Sequence, residues 1–226
     1  MKICSPKPLL DSFMIMLFLL LMADRYTGNG VHEYLGLVLI GSFLFHVGLN
    51  RHWLKTLLKG RYTFLRFLRL VTILLLSLSV LGTVGSAIVI SNSVFSFFDL
   101  QGGLFSRRLH VFFAHWSFIF AAAHLGLHEK KLSTIFNWNK FLSCSNRIFL
   151  AVTNSILVYG AYTFIQRELV YPLTMSSAFM IWNNDENIFI FLLDYIAIFF
   201  LFSRVANTLS NIKYNIKNFS LHTSEV

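Results

Sequence analysis

Val31-His32-Glu33-Tyr34-Leu35-Gly36-Leu37-Val38-Leu39-Ile40-Gly41-Ser42-Phe43-Leu44-Phe45-His46-Val47-Gly48-Leu49 is a nearly unbroken apolar run with a histidine near each end. A helix needs roughly 20 such residues to cross the hydrocarbon core of a bilayer, so the run reads as a membrane span. Its two histidines are 14 residues apart. At about 100° per residue they return to nearly the same helix face, and at 1.5 Å per residue they stand about 21 Å apart along the axis. A second apolar run, Leu109–Leu127, repeats the pattern with His110 and His124.

Working outward, four further runs read as spans: Leu9–Ala23, Phe67–Ile90, Ile148–Ile165 and Ile188–Phe202. The expected fold is an all-α, polytopic helical bundle of about six transmembrane helices over residues 1–206, followed by a cytoplasmic tail at 207–226. Composition agrees. The 226-residue chain is 56% hydrophobic and 13% charged, where a soluble domain carries about a quarter charged residues. Its mean hydropathy is +0.64. The first run is the weakest, and with Lys2 and Lys7 ahead of it a signal peptide is the alternative. Met22-Ala23-Asp24 lacks the small-x-small cleavage pattern, which favours an uncleaved span.

The formal charge of +9 sits between the apolar runs. That is the pattern of cytoplasmic loops, not of a nucleic-acid-binding face. With the N-terminus inside, fifteen of the 19 Lys and Arg residues fall on the cytoplasmic side, and only Arg25, Arg107, Arg108 and Arg167 fall outside. Both termini are therefore expected in the cytoplasm. Cys4 and Cys144 would share that reducing side, so no structural disulfide is expected. No Cys-x-x-Cys-His occurs, which excludes covalent c-type haem.

One helix separates the second and fourth spans, so these two run in the same direction. His32 and His110 then share an outer depth, and His46 and His124 an inner one. Two imidazoles on opposite sides of a porphyrin make a six-coordinate iron suited to electron transfer. The expected ligands are therefore His32 with His110 and His46 with His124, holding two b-type haems between the second and fourth spans. The plainer alternative is four helix-end histidines, but ionisable residues inside a membrane are costly and usually functional. Gly36, Gly41, Gly48 and Gly126 leave room for a ring or, equally, for a neighbouring helix. Arg107 and Arg108 outside His110, and Arg51 inside His46, are candidate partners for haem propionates through bidentate guanidinium contacts. For Arg51 an inside-positive loop is the more economical reading.

The run Thr27-Gly28, His32-Glu33-Tyr34-Leu35-Gly36, His46 and Asn50-Arg51-His52-Trp53, with Arg108-Leu109-His110 and His124-Leu125-Gly126-Leu127-His128, resembles the bacterial flavinylation-associated cytochrome family. The likeness covers roughly residues 27–128. Members of that family look like small relatives of the cytochrome b subunits of formate dehydrogenases and hydrogenases. The resemblance implies a bacterial inner-membrane cytochrome exchanging electrons between quinone and an extracytosolic redox protein, often a flavoprotein. It would act as a subunit of a larger complex or as a homodimer. The chain departs from the pattern in having Arg51-His52 where an aromatic commonly follows the Asn, and in its fifth and sixth spans.

Other titratable residues are weaker candidates. His128, one turn after His124, is a propionate or quinol contact or a solvated helix end. His115 points about 140° from His110 and should face a neighbouring helix. Asp194, inside the sixth span, is a proton relay or an interhelical hydrogen bond to a Ser, Tyr or Asn; the second is slightly favoured. Glu33 is a candidate proton acceptor, His52 an interface residue, and His222 suggests nothing. The outer segment Gln166–Asn187, with Glu168, Pro172, Trp182, Asp185 and Glu186, could form an interfacial cap. No nucleotide-binding glycine loop appears, so flavin or nicotinamide chemistry would belong to a partner chain. Two rivals stand beside this reading: a ferric-reductase-type membrane subunit, and a haem-free transporter or scaffold.

Overall fold

Helices account for nearly all the structure in the computed structural model, which describes residues 6–53, 63–128, 146–179 and 186–222. Six are long: α1 (Pro6–Met22), α3 (Asn29–Leu49), α4 (Phe64–Ile90), α5 (Leu104–Gly126), α6 (Asn146–Gln166) and α8 (Ile188–His222). Two are single turns, α2 (Asp24–Thr27) and α7 (Val170–Leu173), and no strand occurs among the described residues. Cys4, Cys144, Trp182, Asp185 and the basic loop residues Lys55, Lys59, Arg61, Lys130, Lys131 and Lys140 lie outside the described residues.

Among the described residues, four helices are long and apolar enough to cross a membrane: α3, α4, α5 and the Ile188–Asn211 part of α8. The other two expected spans also form helices. α1 has 17 residues, about 25 Å at 1.5 Å per residue, a little short of a hydrocarbon core of about 30 Å. α6 is long enough but is diluted by Asn146, Arg147, Asn154, Ser155 and Gln166. The last helix runs on through Asn207 to His222, so the expected tail begins as a continuation of α8.

The exterior is unlike a soluble protein's. Leu44, Phe45, Leu78, Leu81 and Val158 are exposed, while Ser79, Ser86, His115, Ser117, Thr163 and Asp194 are buried together with an apolar core. An apolar exterior this extensive requires an apolar surrounding, which makes the chain a multi-pass membrane protein in contact with lipid.

Cross-helix contacts fix the directions. Lys7 at the start of α1 donates to the Leu49 carbonyl and to Asn50 Oδ1 at the end of α3, so α1 and α3 are antiparallel. The start of α3 meets the end of α4 through Glu33, which accepts from Ser91 Oγ (2.7 Å) and from the backbone N–H groups of Asn92, Ser93 and Val94. Along α4 and α5, Ser86 meets His110 while Arg69 donates to the Leu127 carbonyl, again antiparallel. α3 and α5 therefore run the same way, as the sequence predicts.

The core lies between α1, α5 and α8. Phe118 is stacked on Phe18 with ring centres 5.7 Å apart, and Tyr195 and Phe199 meet it edge-on. Ala23, Ala122, Leu169, Phe191 and Ile198 complete the cluster. Two close approaches hold α8 in place. A Cβ on Gly126 would stand 1.9 Å from the Ser203 carbonyl oxygen, and one on Gly160 would stand 2.5 Å from that of Ala197. By contrast, a Cβ on Gly36, Gly41 or Gly48 would meet open space, and no residue of α3 is buried. Helix α3 packs chiefly on α1 and α2 and leaves its glycine positions free.

Candidate functional site

At the outer level, His32 of α3 and His110 of α5 face one another. Their ring centres are 6.2 Å apart with the planes at 71°. Two imidazoles bound on opposite sides of one metal, at about 2 Å each, have ring centres roughly 6 Å apart. His110 is held from behind: its Nδ1–H donates to the Thr83 carbonyl at 3.2 Å, with Ser86 Oγ 3.4 Å away. That bond fixes the tautomer and leaves Nε2 with its lone pair. The same Thr83 carbonyl also accepts from Ser86 Oγ at 3.0 Å, while the Thr83 hydroxyl donates to the Ser79 carbonyl.

Glu33, next in sequence to His32, is an anchor whose carboxylate accepts all four hydrogen bonds from the Ser91–Val94 turn. Gly28, at the entry to α3, has φ +76°, ψ 156°, a conformation open only to glycine. It lets the chain turn from α2 directly into the helix that carries His32.

At the inner level, His46 Nδ1–H donates to Asp11 of α1 at 2.7 Å, and Asn50 Nδ2 stands 3.4 Å from Nε2. His124 lies in the electrostatic neighbourhood of His46, Asp11, Arg69 and His128. Its ring is 4.7 Å from that of His128, whose Nδ1–H donates to the His124 carbonyl. No ring contact like that of the outer pair joins His46 to His124. The structure therefore brings the outer pair into facing contact and the inner pair only into one neighbourhood.

A pattern links the two levels. In each predicted pair one imidazole is anchored through Nδ1, His110 by Thr83 and His46 by Asp11. In each, the other has a buried Nδ1 with no hydrogen-bond partner among the described residues, at His32 and His124. His32 keeps a backbone hydrogen-bond interaction with Leu21. This donor set suits a flat metal group bound from both faces by imidazole. It is not a cage for a bare ion: no cluster of three or more His, Cys, Asp and Glu occurs among the described residues.

The remaining predicted site residues are dispersed. Arg51 and Arg108 are exposed, and Arg107 is half-buried beside an outer cleft that Ser91, Asn92, Asp99 and Gly102 also line. His52 is exposed. His115 is buried, and its Nδ1–H donates to the Val111 carbonyl within its own helix. Asp194 accepts from Tyr159 Oη at 2.5 Å and from Arg167 Nε at 2.9 Å. Arg167 also grips Glu186 through both terminal nitrogens and lies over the Phe191 ring. The interhelical hydrogen bond anticipated for Asp194 is present, to a tyrosine, with an arginine added.

Sequence reasoning missed Asp11, Thr83 and Ser86. Asp11 had a signal: together with Lys7 it puts opposite charges one turn apart in an otherwise apolar helix. Thr83 acts through its backbone and left no signal. Compared with models of known protein families, with curated proteins and with solved structures, the chain matches none.

Proposed function

We propose that the chain is a dihaem b-type membrane cytochrome that carries electrons across the membrane. In this reading His32 and His110 hold an outer haem, His46 and His124 an inner one, and all six long helices are spans with both termini in the cytoplasm. The observation that carries it is the approach of the His32 and His110 rings, from two helices that otherwise stand apart, at a spacing that two imidazoles sharing one metal would have. The repeated arrangement of one imidazole anchored through Nδ1 and one not supports the inner pair.

A bound haem would supply reversible one-electron chemistry. The chain's own part is to bind and orient. The Thr83 carbonyl and Asp11 set the tautomers of His110 and His46, Glu33 fixes the depth of His32 against the end of α4, and the apolar helices exclude water. Arg107 and Arg108 outside, and Arg51 and His128 inside, are the proposed partners for carboxylate side groups. The electron donor and acceptor follow from the family resemblance: quinone or quinol in the membrane and an extracytosolic redox protein, possibly flavinylated, at the surface of a bacterial inner membrane.

The test is a reduced-minus-oxidised spectrum with haem quantification. Wild type is expected to carry two haems per chain. His32→Ala and His110→Ala should each remove the same one, and His46→Ala and His124→Ala the other. Purified protein without a Soret band would end the proposal, and loss of different haems within a pair would break the pairing.

A further inference from the structure

We propose that Asp11 is a positioning residue for the inner site, which makes α1 part of the frame that holds it. The inference rests on reading His46 as a ligand and adds to it. A carboxylate can only accept, so the 2.7 Å contact makes His46 Nδ1 the donor. The free lone pair of the ring then belongs to Nε2. The surroundings agree, because the amide nitrogen of Asn50, a donor, faces Nε2 from 3.4 Å. The orientation of that amide is itself fixed at both ends. Its nitrogen donates to the His46 carbonyl at 2.9 Å, and its oxygen accepts from Lys7 Nζ at 3.2 Å.

Lys7 and Asp11 are one turn apart on α1, and His46 and Asn50 one turn apart on α3, so like faces meet. The result is a two-point clamp. Lys7 closes the end of α3 by donating to the Leu49 carbonyl, and Asp11 sets the ring one turn earlier. Both clamp residues on α3 are part-buried, and the His46 and Asp11 side chains are only 26% and 36% exposed. An N–H···carboxylate bond behind a metal-bound imidazole does two things: it fixes the ring's rotation, and it makes the ligand more basic, which favours the oxidised metal. At the outer level His110 is anchored by a backbone carbonyl, and the carboxylates near His32, those of Asp24 and Glu33, make no hydrogen bond to its Nδ1. Among the described residues, a carboxylate hydrogen-bonded to a candidate ligand imidazole is thus particular to the inner pair.

The experiment is potentiometric titration and low-temperature EPR of the purified holoprotein as wild type, Asp11→Asn and Asp11→Glu. The inner centre is identified as the one lost in His46→Ala. Asp11→Asn is expected to move the inner centre to higher potential and to change its low-spin signal while leaving the outer centre in place; Asp11→Glu should restore both. An inner centre unmoved by Asp11→Asn, or equal movement of both centres, overturns the positioning role while two haems in wild type keep the cytochrome reading intact. Wild type without haem overturns both.

A second measurement covers the case in which Asp11→Asn accumulates poorly. Thermal melting of Asp11→Ala, His46→Ala and the double variant should show that Asp11→Ala brings no further loss once His46 is gone. Equal losses in the two backgrounds overturn the proposal.

Discussion

Around Arg167 two carboxylates share one guanidinium, inside a bundle where an unpaired charge would be severely penalised. Burial works against the charged form of Arg167, but hydrogen bonds to Glu186 and Asp194 outweigh it and hold its pKa above the ordinary arginine value. Asp194→Asn keeps an acceptor for Tyr159 and leaves the Glu186 pair intact, so it should cost about 1–2 kcal/mol. Arg167→Met strands two buried carboxylates and should cost on the order of 3–5 kcal/mol. Equilibrium unfolding in mixed micelles measures both, and similar losses would refute this division of roles. The sequence marks Asp194 as out of place because a carboxylate stands in an apolar run. Its partners lie 27 and 35 positions away, a distance set only by how α6 meets α8. The four histidines are legible for the opposite reason: their meaning lies in spacing along single helices.

Among the helices, glycines sort into two kinds that sequence alone leaves equal. Gly126 is where α5 touches the backbone of α8, and its replacement by Ala drives a methyl into the Ser203 carbonyl. Gly126→Ala should destabilise the chain by about 1–3 kcal/mol. Gly41→Ala fills open space on α3 and removes a flexible residue from a helix, so it should be neutral or stabilising by up to about 1 kcal/mol. Thermal melting of the two variants decides the matter, and a loss at position 41 equal to that at 126 would show that α3 is packed as tightly as α5. The six long helices were readable; the single turns α2 and α7 and the helical run from Asn207 to His222 were not. What hydropathy ranks poorly is α1 and α6. The first is short and carries Lys7 and Asp11; the second spends its polar residues where only neighbouring helices make them acceptable. The charges that weaken α1 as a span are those that fasten it to α3.

At the level of the whole molecule, the long helices alternate in direction along the chain. α3, α5 and α8 point one way, because Phe118 meets Tyr195 and Gly126 meets Ser203 as both helices advance. α1 and α4 oppose them. With the basic residues concentrated at one end, the turn after α4 should face outward and the end of α3 inward. A cysteine introduced at Ser93 should react with an impermeant maleimide on intact spheroplasts, whereas one at Arg51 should react only after lysis. The reverse result would invert the bundle and exchange the outer and inner sites.

The Glu33 clamp on the turn after α4 also bears on biogenesis. Every candidate ligand and every anchor, from Asp11 to His124, is encoded before residue 128, and the parts that hold α5 in place from the other side come last. As the chain leaves the ribosome, the histidine frame is complete before α6 and α8 exist. Glu33 can seize the Ser91–Val94 turn as soon as α4 has emerged, which fixes the depth of His32 before His110 arrives to face it. Insertion thus sets the depth of His32 before Thr83 and α5 orient His110, and α8 closes the bundle behind them.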